Sequence, residues 1–104
     1  MMDIPQIQIH EAKKKLDQKE CMFVDIRDPG SYRVAHIPGA FHLNNGNVQA
    51  FVQTTDKQTP VVVYCYHGNS SLGATAYLIE NGFKDVASMS GGFEAWRKVY
   101  EHEA

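Results

Sequence analysis

Cys65 ends the apolar run VVVYC, residues 61–65, and YHGNSS follows it before apolar residues resume at helical spacing. A thiol at the end of a strand, followed by such a loop and then a helix, faces backbone N–H groups that the loop can curl inward, an anion-binding nest. The helix N-terminus adds partial positive charge. Gly68 supplies the tight backbone that the curl needs. Ser70 and Ser71 are good N-cap residues, and their hydroxyls can also donate hydrogen bonds. All of these favour thiolate over thiol. A free cysteine has a pKa of about 8.5, and settings of this kind lower it to between about 3.5 and 7.5. The chemistry predicted is a nucleophilic sulfur working with an anionic substrate or intermediate. The candidate site is therefore Cys65 with Tyr66, His67, Gly68, Asn69, Ser70 and Ser71 around it. A cysteine can also be simply a small buried hydrophobe, and that reading suits Cys21, which precedes a strand beside Met22 and Phe23.

Two other chemistries could use a loop of this kind. GNSSLGAT has the G-x-x-x-x-G spacing of a nucleotide-binding P-loop, but Ala74 stands where the motif needs lysine, so nothing reaches the outer phosphates. Cysteine phosphatases carry an arginine six residues after the cysteine. Here that position is Ser71, and a hydroxyl cannot replace a bidentate guanidinium on phosphate oxygens.

The elements that must position the loop alternate in type. Residues 10–19 carry Ala12 and Leu16 four apart among charges, as in a short amphipathic helix. MFVDI, 22–26, reads as a buried strand. Asp28 and Pro29 form an N-cap and a first-turn proline that open a short helix to about Ala35. A turn at Pro38-Gly39 leads to a brief strand at 40–43. Val48, Phe51 and Val52 share a helical face, and Pro60 stops that region. The run 61–65 is apolar throughout, as a central parallel strand covered on both faces should be. Leu72, Ala76, Ile79 and Phe83 keep helical spacing, and Gly82 is a natural stop. DVASM, 85–89, is a further strand, and Gly91-Gly92 leads into FEAWRKVY with Phe93, Trp96 and Tyr100 on one face. Alternating strands and helices predict an α/β fold with a mostly parallel sheet. Ligands in such sheets bind beyond the carboxyl ends of the strands, where Cys65 stands.

The 104 residues fit a single domain, 1–104, and the net charge of −2 carries no basic stripe for nucleic acid. Lys13-Lys14-Lys15, followed by Asp17 and Glu20, reads as a solvated helix face. No apolar run approaches the roughly 20 residues of a membrane span, and the N-terminus lacks the apolar core of a signal peptide. The expected location is the cytoplasm, where Cys21 and Cys65 stay thiols. The histidines at 10, 36, 42, 67 and 102 show no metal-binding spacing with the cysteines. No metal or other cofactor is expected.

Four segments resemble the rhodanese family of sulfurtransferases, in the family's order and over nearly the whole chain: VDIRD at 24–28, YRVAHIPGA at 32–40, CYHGNSS at 65–71 and GGFEAW at 91–96. Ala35 stands where the family usually has glycine. The short chain and the spelling of the loop are most similar to single-domain GlpE-like thiosulfate sulfurtransferases. The resemblance implies a single rhodanese-like domain with a five-stranded sheet and helices on both faces. It implies that Cys65 takes the sulfane sulfur of thiosulfate, releases sulfite and becomes a persulfide. Cyanide, or a dithiol acceptor such as thioredoxin, then receives the sulfur. The larger two-domain rhodaneses place arginine and lysine directly after the cysteine, where this chain has Tyr66 and His67. With those cations missing, a weak Michaelis constant for thiosulfate is expected. His67 can supply charge when protonated. Another function remains open at this level: a sulfur-carrier module loaded by a protein persulfide. Asp25 and Arg27 are expected to be structural, as an ion pair or loop anchors, His36 to serve a turn, and Trp96 to belong to the core.

Overall fold

A computed structural model describes residues 3–104. The elements are β1 (Gln6–Ile7), α1 (Ile9–Asp17), β2 (Met22–Asp25), α2 (Pro29–Val34), β3 (Phe41–His42), α3 (Val48–Thr54), β4 (Val61–Tyr64), α4 (Ser70–Glu80), β5 (Val86–Met89) and α5 (Gly92–Trp96). The strands form one sheet in the order β1-β5-β4-β2-β3, with every pairing parallel.

Strand alternation divides the core into two layers. Val62 and Tyr64 of β4 face Phe23, Met89, Ala12 of α1, and Phe93 and Trp96 of α5. Val61 and Val63 face the other way, toward Val24, Val86, Phe51 of α3 and Leu78 of α4. All four residues of β4 are buried. The apolar run thus becomes the middle strand with helices on both faces, as its composition predicts.

Local chemistry sets the element ends. Asp28 caps α2 by accepting from the Ser31 N–H at 3.0 Å, and Pro29 is the first helical residue. After α4, Gly82 has φ +99° and Gly82 N donates to Ile79 O, a left-handed stop that glycine adopts without strain. The last helix is shorter than FEAWRKVY suggested. Val99 N and Tyr100 N both donate to Trp96 O, tightening the chain into turns. Trp96 Nε1 then donates to Glu101 O at 2.9 Å and holds the turned chain against the core.

Short apolar runs, with the turn at Pro38-Gly39 for β3, mark four of the five strands. β1 was not located from the sequence, because two residues with one side chain buried have no readable period. It is specified by pairing: Ser88 N donates to Pro5 O and Ser90 N to Ile7 O, both at 2.9 Å.

Among the described residues, one buried side-chain group is unsatisfied. Thr75 Oγ1 on α4 has no hydrogen-bond partner among the described residues. An orphaned buried hydroxyl costs roughly 1–3 kcal/mol. Thr75→Val keeps the shape and removes the hydroxyl, so it should raise stability by about 1 kcal/mol. An unchanged or lower urea midpoint would contradict this.

Candidate active site

Cys65 follows directly on β4, and α4 begins at Ser70, so the loop turns back over the carboxyl end of the sheet. Gly68 makes the turn at φ +99°, a left-handed conformation that strains any residue with a Cβ. The loop closes around the sulfur. Gly68 N donates to Cys65 Sγ at 3.1 Å and Ser71 N at 3.3 Å, and Ser71 Oγ lies 3.4 Å away. Cys65 itself is 6% exposed. Burial alone pushes its thiol pKa up. The Ser71 hydroxyl and the N–H groups of Ser71, Gly68 and His67 outweigh this and hold it below the ordinary thiol value. The cause is hydrogen bonding to the anion, the contribution predicted from the loop.

The serines act differently from the prediction. Asn69 occupies the N-cap position and makes no side-chain cap bond. Ser70 and Ser71 are the first two helical residues, so neither is the N-cap. Ser70 is exposed, whereas Ser71 is fully buried and turns its hydroxyl inward to the sulfur and to Ser88 Oγ, 2.7 Å away. A side chain pointing under the loop cannot also reach back to cap the helix. Tyr66, 40% exposed, His67 and Asn69 are on the outer surface of the loop, and Gly68 is half-buried.

Cys21 is unlike Cys65 in every respect that governs reactivity. It directly precedes β2, at the amino end of the strands, whereas Cys65 stands at their carboxyl end. Burial is the main cause that raises its pKa to about 11. Both cysteines are free thiols.

The loop is braced from two sides. On one side, Arg27 and Asp25 form a buried ion pair: Nη2 donates to Oδ2 at 2.7 Å, Nε lies 3.0 Å from Oδ2, and the Arg27 N–H donates to Oδ1 at 2.8 Å. Arg27 Nη2 also donates to Ala35 O, and its guanidinium lies 4.2 Å from the Phe93 ring centre and 5.7 Å from that of Tyr66. The pair therefore ties β2 to α2 and backs the loop, the structural role expected of it. His36 accompanies it at the turn, with Nδ1 2.7 Å from Tyr32 O.

On the other side, Phe93 N donates to Cys65 O and Glu94 N to Tyr66 O, both at 2.9 Å. This close approach explains the second glycine of GGFEAW. A Cβ on Gly92 would stand 2.5 Å from Tyr66 O and 2.6 Å from Cys65 O, at a φ of +60°. Gly92→Ala should cost about 2–4 kcal/mol and slow Cys65 alkylation, because the loop must shift to make room. A variant with wild-type Tm and alkylation rate would refute that account.

Ser88 was not recognised from the sequence as part of the site. Its signal is a serine among apolar residues in a buried strand: it is fully buried and shares a β5 face with Val86, toward α4. A groove of about 620 Å³ beside the loop is lined by Arg27, Val34, Tyr66, Phe93, Arg97 and His102, among others. Arg97 in that groove is paired with Glu94, Nη2 to Oε1 at 2.8 Å. Among the described residues, no group of histidine, cysteine or acidic side chains is arranged to hold a metal ion. No described helix is long and apolar enough to cross a membrane.

In this parallel α/β domain the buried thiol of Cys65 stands at the end of the central strand, with backbone N–H groups and a hydroxyl turned toward it. A family model for the rhodanese-like domain matches residues 8–99, and the chain belongs to that family. Sulfur transfer is the family's general type of activity. The solution structure of the rhodanese-like domain of the Alr3790 protein from Anabaena superposes with a TM-score of 0.86 at 26% identity, over 99% of this chain and 80% of that one. A rhodanese-like domain protein from Staphylococcus aureus gives 0.79 at 26%, over 89% and 91%. A rhodanese-related protein from Thermoplasma volcanium gives 0.83 at 19%, over 95% and 97%, a likeness of fold.

Proposed function

We propose that the protein is a thiosulfate sulfurtransferase working through a Cys65 persulfide. The observation that carries this reading is the convergence of Gly68 N, Ser71 N and Ser71 Oγ on Cys65 Sγ within 3.4 Å. The thiolate attacks the outer sulfur of thiosulfate. A bond forms between Sγ and that sulfur, the S–S bond of thiosulfate breaks, and sulfite leaves with the electron pair. The persulfide is a stronger acid than a thiol and stays anionic, so the same donors that favour the thiolate also favour the intermediate. Cyanide or an acceptor thiolate then attacks the terminal sulfur and restores the Cys65 thiolate. No general base is needed when nucleophile and intermediate are already anions. A reducing cytoplasm, in which both cysteines stay thiols, suits this chemistry.

The test is intact mass after incubation with thiosulfate and removal of excess. Gain of one sulfur atom, discharged by cyanide, is expected. A wild-type chain that never gains sulfur would rule out thiosulfate as the donor. A second reading, a sulfur carrier loaded by a protein persulfide, draws on a different observation: no lysine or arginine lies between Cys65 and Ser71 to meet the double charge of thiosulfate. That reading predicts slow loading from thiosulfate and fast loading from a persulfidated protein.

A further inference from the structure

The donors around Cys65 include one whose hydrogen is free to rotate. Backbone N–H groups are fixed by the loop, but a serine hydroxyl can point its hydrogen toward the sulfur or away from it. We propose that Ser88, on β5, is a positioning residue that turns the Ser71 hydroxyl toward the sulfur of Cys65. This rests on the reading of Cys65 as a sulfur nucleophile.

The geometry is a chain of three atoms: Ser88 Oγ, then Ser71 Oγ at 2.7 Å, then Cys65 Sγ at 3.4 Å. Ser71 and Ser88 are both fully buried, so water does not compete along the chain. Ser71 Oγ is the side-chain partner that Ser88 Oγ has among the described residues. When the sulfur is anionic, the chain is complete. Ser88 donates to Ser71, Ser71 donates to sulfur, and each hydroxyl hydrogen has an acceptor. When the sulfur carries its proton and donates to Ser71, one hydroxyl hydrogen of the pair has no acceptor in the chain, which is unfavourable. Donation from Ser88 polarises the Ser71 hydroxyl and strengthens its own donation to the sulfur, and this favours thiolate or persulfide over thiol. No covalent bond changes in this step; only two hydroxyl hydrogens rotate.

The test reads Cys65 directly, in a Cys21→Ser background so that one thiol remains. The rate of iodoacetamide alkylation is followed by intact mass across pH. Other titratable and charged groups around the loop are Tyr64, Tyr66, His67, the Asp25–Arg27 pair behind it, and Glu94 and Arg97 beside it. Ser88→Ala changes none of them. The alkylation midpoint should rise by about half to one pH unit, a three- to tenfold slower reaction near neutrality. Ser71→Ala should raise it as well, and the double variant should match Ser71→Ala alone, because Ser88 acts only through Ser71. Ser88→Thr keeps the hydroxyl and should keep the wild-type midpoint.

An unmoved midpoint in Ser88→Ala with wild-type Tm overturns the proposal, as does an additive double variant. If Ser88→Ala does not fold, a shifted midpoint in Ser88→Thr overturns it. Alkylation uses no sulfur donor. A wild type that never loads sulfur from thiosulfate therefore refutes the functional reading alone, and an unmoved midpoint refutes the positioning role alone.

Discussion

Cys65→Ser should abolish both sulfur loading and sulfur transfer, while Cys21→Ser should leave both nearly intact. Serine fills the space of Cys65 and keeps hydrogen-bonding ability, but its hydroxyl does not ionise near neutral pH and its oxygen cannot carry a persulfide. The loss in turnover should be at least about a thousandfold, the scale on which removing a covalent nucleophile acts. Thiocyanate release from thiosulfate and cyanide measures it. A Cys21→Ser variant that was dead while Cys65→Ser turned over would refute the site assignment. The pH dependence follows from the same contrast. Hydrogen bonds lower the Cys65 pKa against the opposing effect of burial, whereas burial raises that of Cys21 to about 11. Cys65 should therefore alkylate in a pH range where Cys21 is inert. The sign for stability also follows. A depressed thiol pKa adds stability above the unfolded value, and that contribution is lost as pH falls through the folded value. The loop should be held more tightly at mildly alkaline than at acid pH.

Asp25→Ala should destabilise the domain by about 3–5 kcal/mol, the cost of leaving one member of a buried ion pair alone. Asp25 is fully buried and Arg27 is 8% exposed, so the guanidinium cannot reach water without breaking its contacts with Ala35 O and the Phe93 ring. Set against a typical total of about 5–15 kcal/mol, this loss is large enough to unfold a substantial fraction of molecules. Urea denaturation measures it. Asp25→Asn, which keeps a hydrogen-bond acceptor for Arg27, should cost less. If Asp25→Ala lost activity with a wild-type urea midpoint, the pair would belong to the chemistry rather than the framework.

The parts of the fold that were legible in the sequence depend on local physics. The run VVVYC is apolar on both faces because β4 is covered on both faces. Asp28-Pro29 starts α2 because capping and a fixed φ act within one turn. The link from strand through glycine loop to helix placed Cys65 and its backbone donors. The resemblance carried by four short motifs then supplied the five-stranded fold and the sulfur chemistry. Other features were not legible, because they depend on contacts between distant segments. β1 exists through its pairing with β5. The inward-facing hydroxyl of Ser71 meets that of Ser88, 17 residues away. In sequence the two serines after Asn69 look alike as caps, and only packing brings the hydroxyl of one of them to the sulfur.

The sequence by itself determined the family, through four short motifs, and the strand, loop and helix start around Cys65, because a parallel strand, a left-handed glycine and a helix start are encoded by neighbouring residues. Only the tertiary structure decided which groups reach the sulfur and what braces them. The inward hydroxyl pair, the buried Asp25–Arg27 anchor and the passage of Gly92 against Cys65 O all join segments far apart in the chain. Contacts across such separations are set by how the sheet and helices pack, and a one-dimensional pattern does not record them.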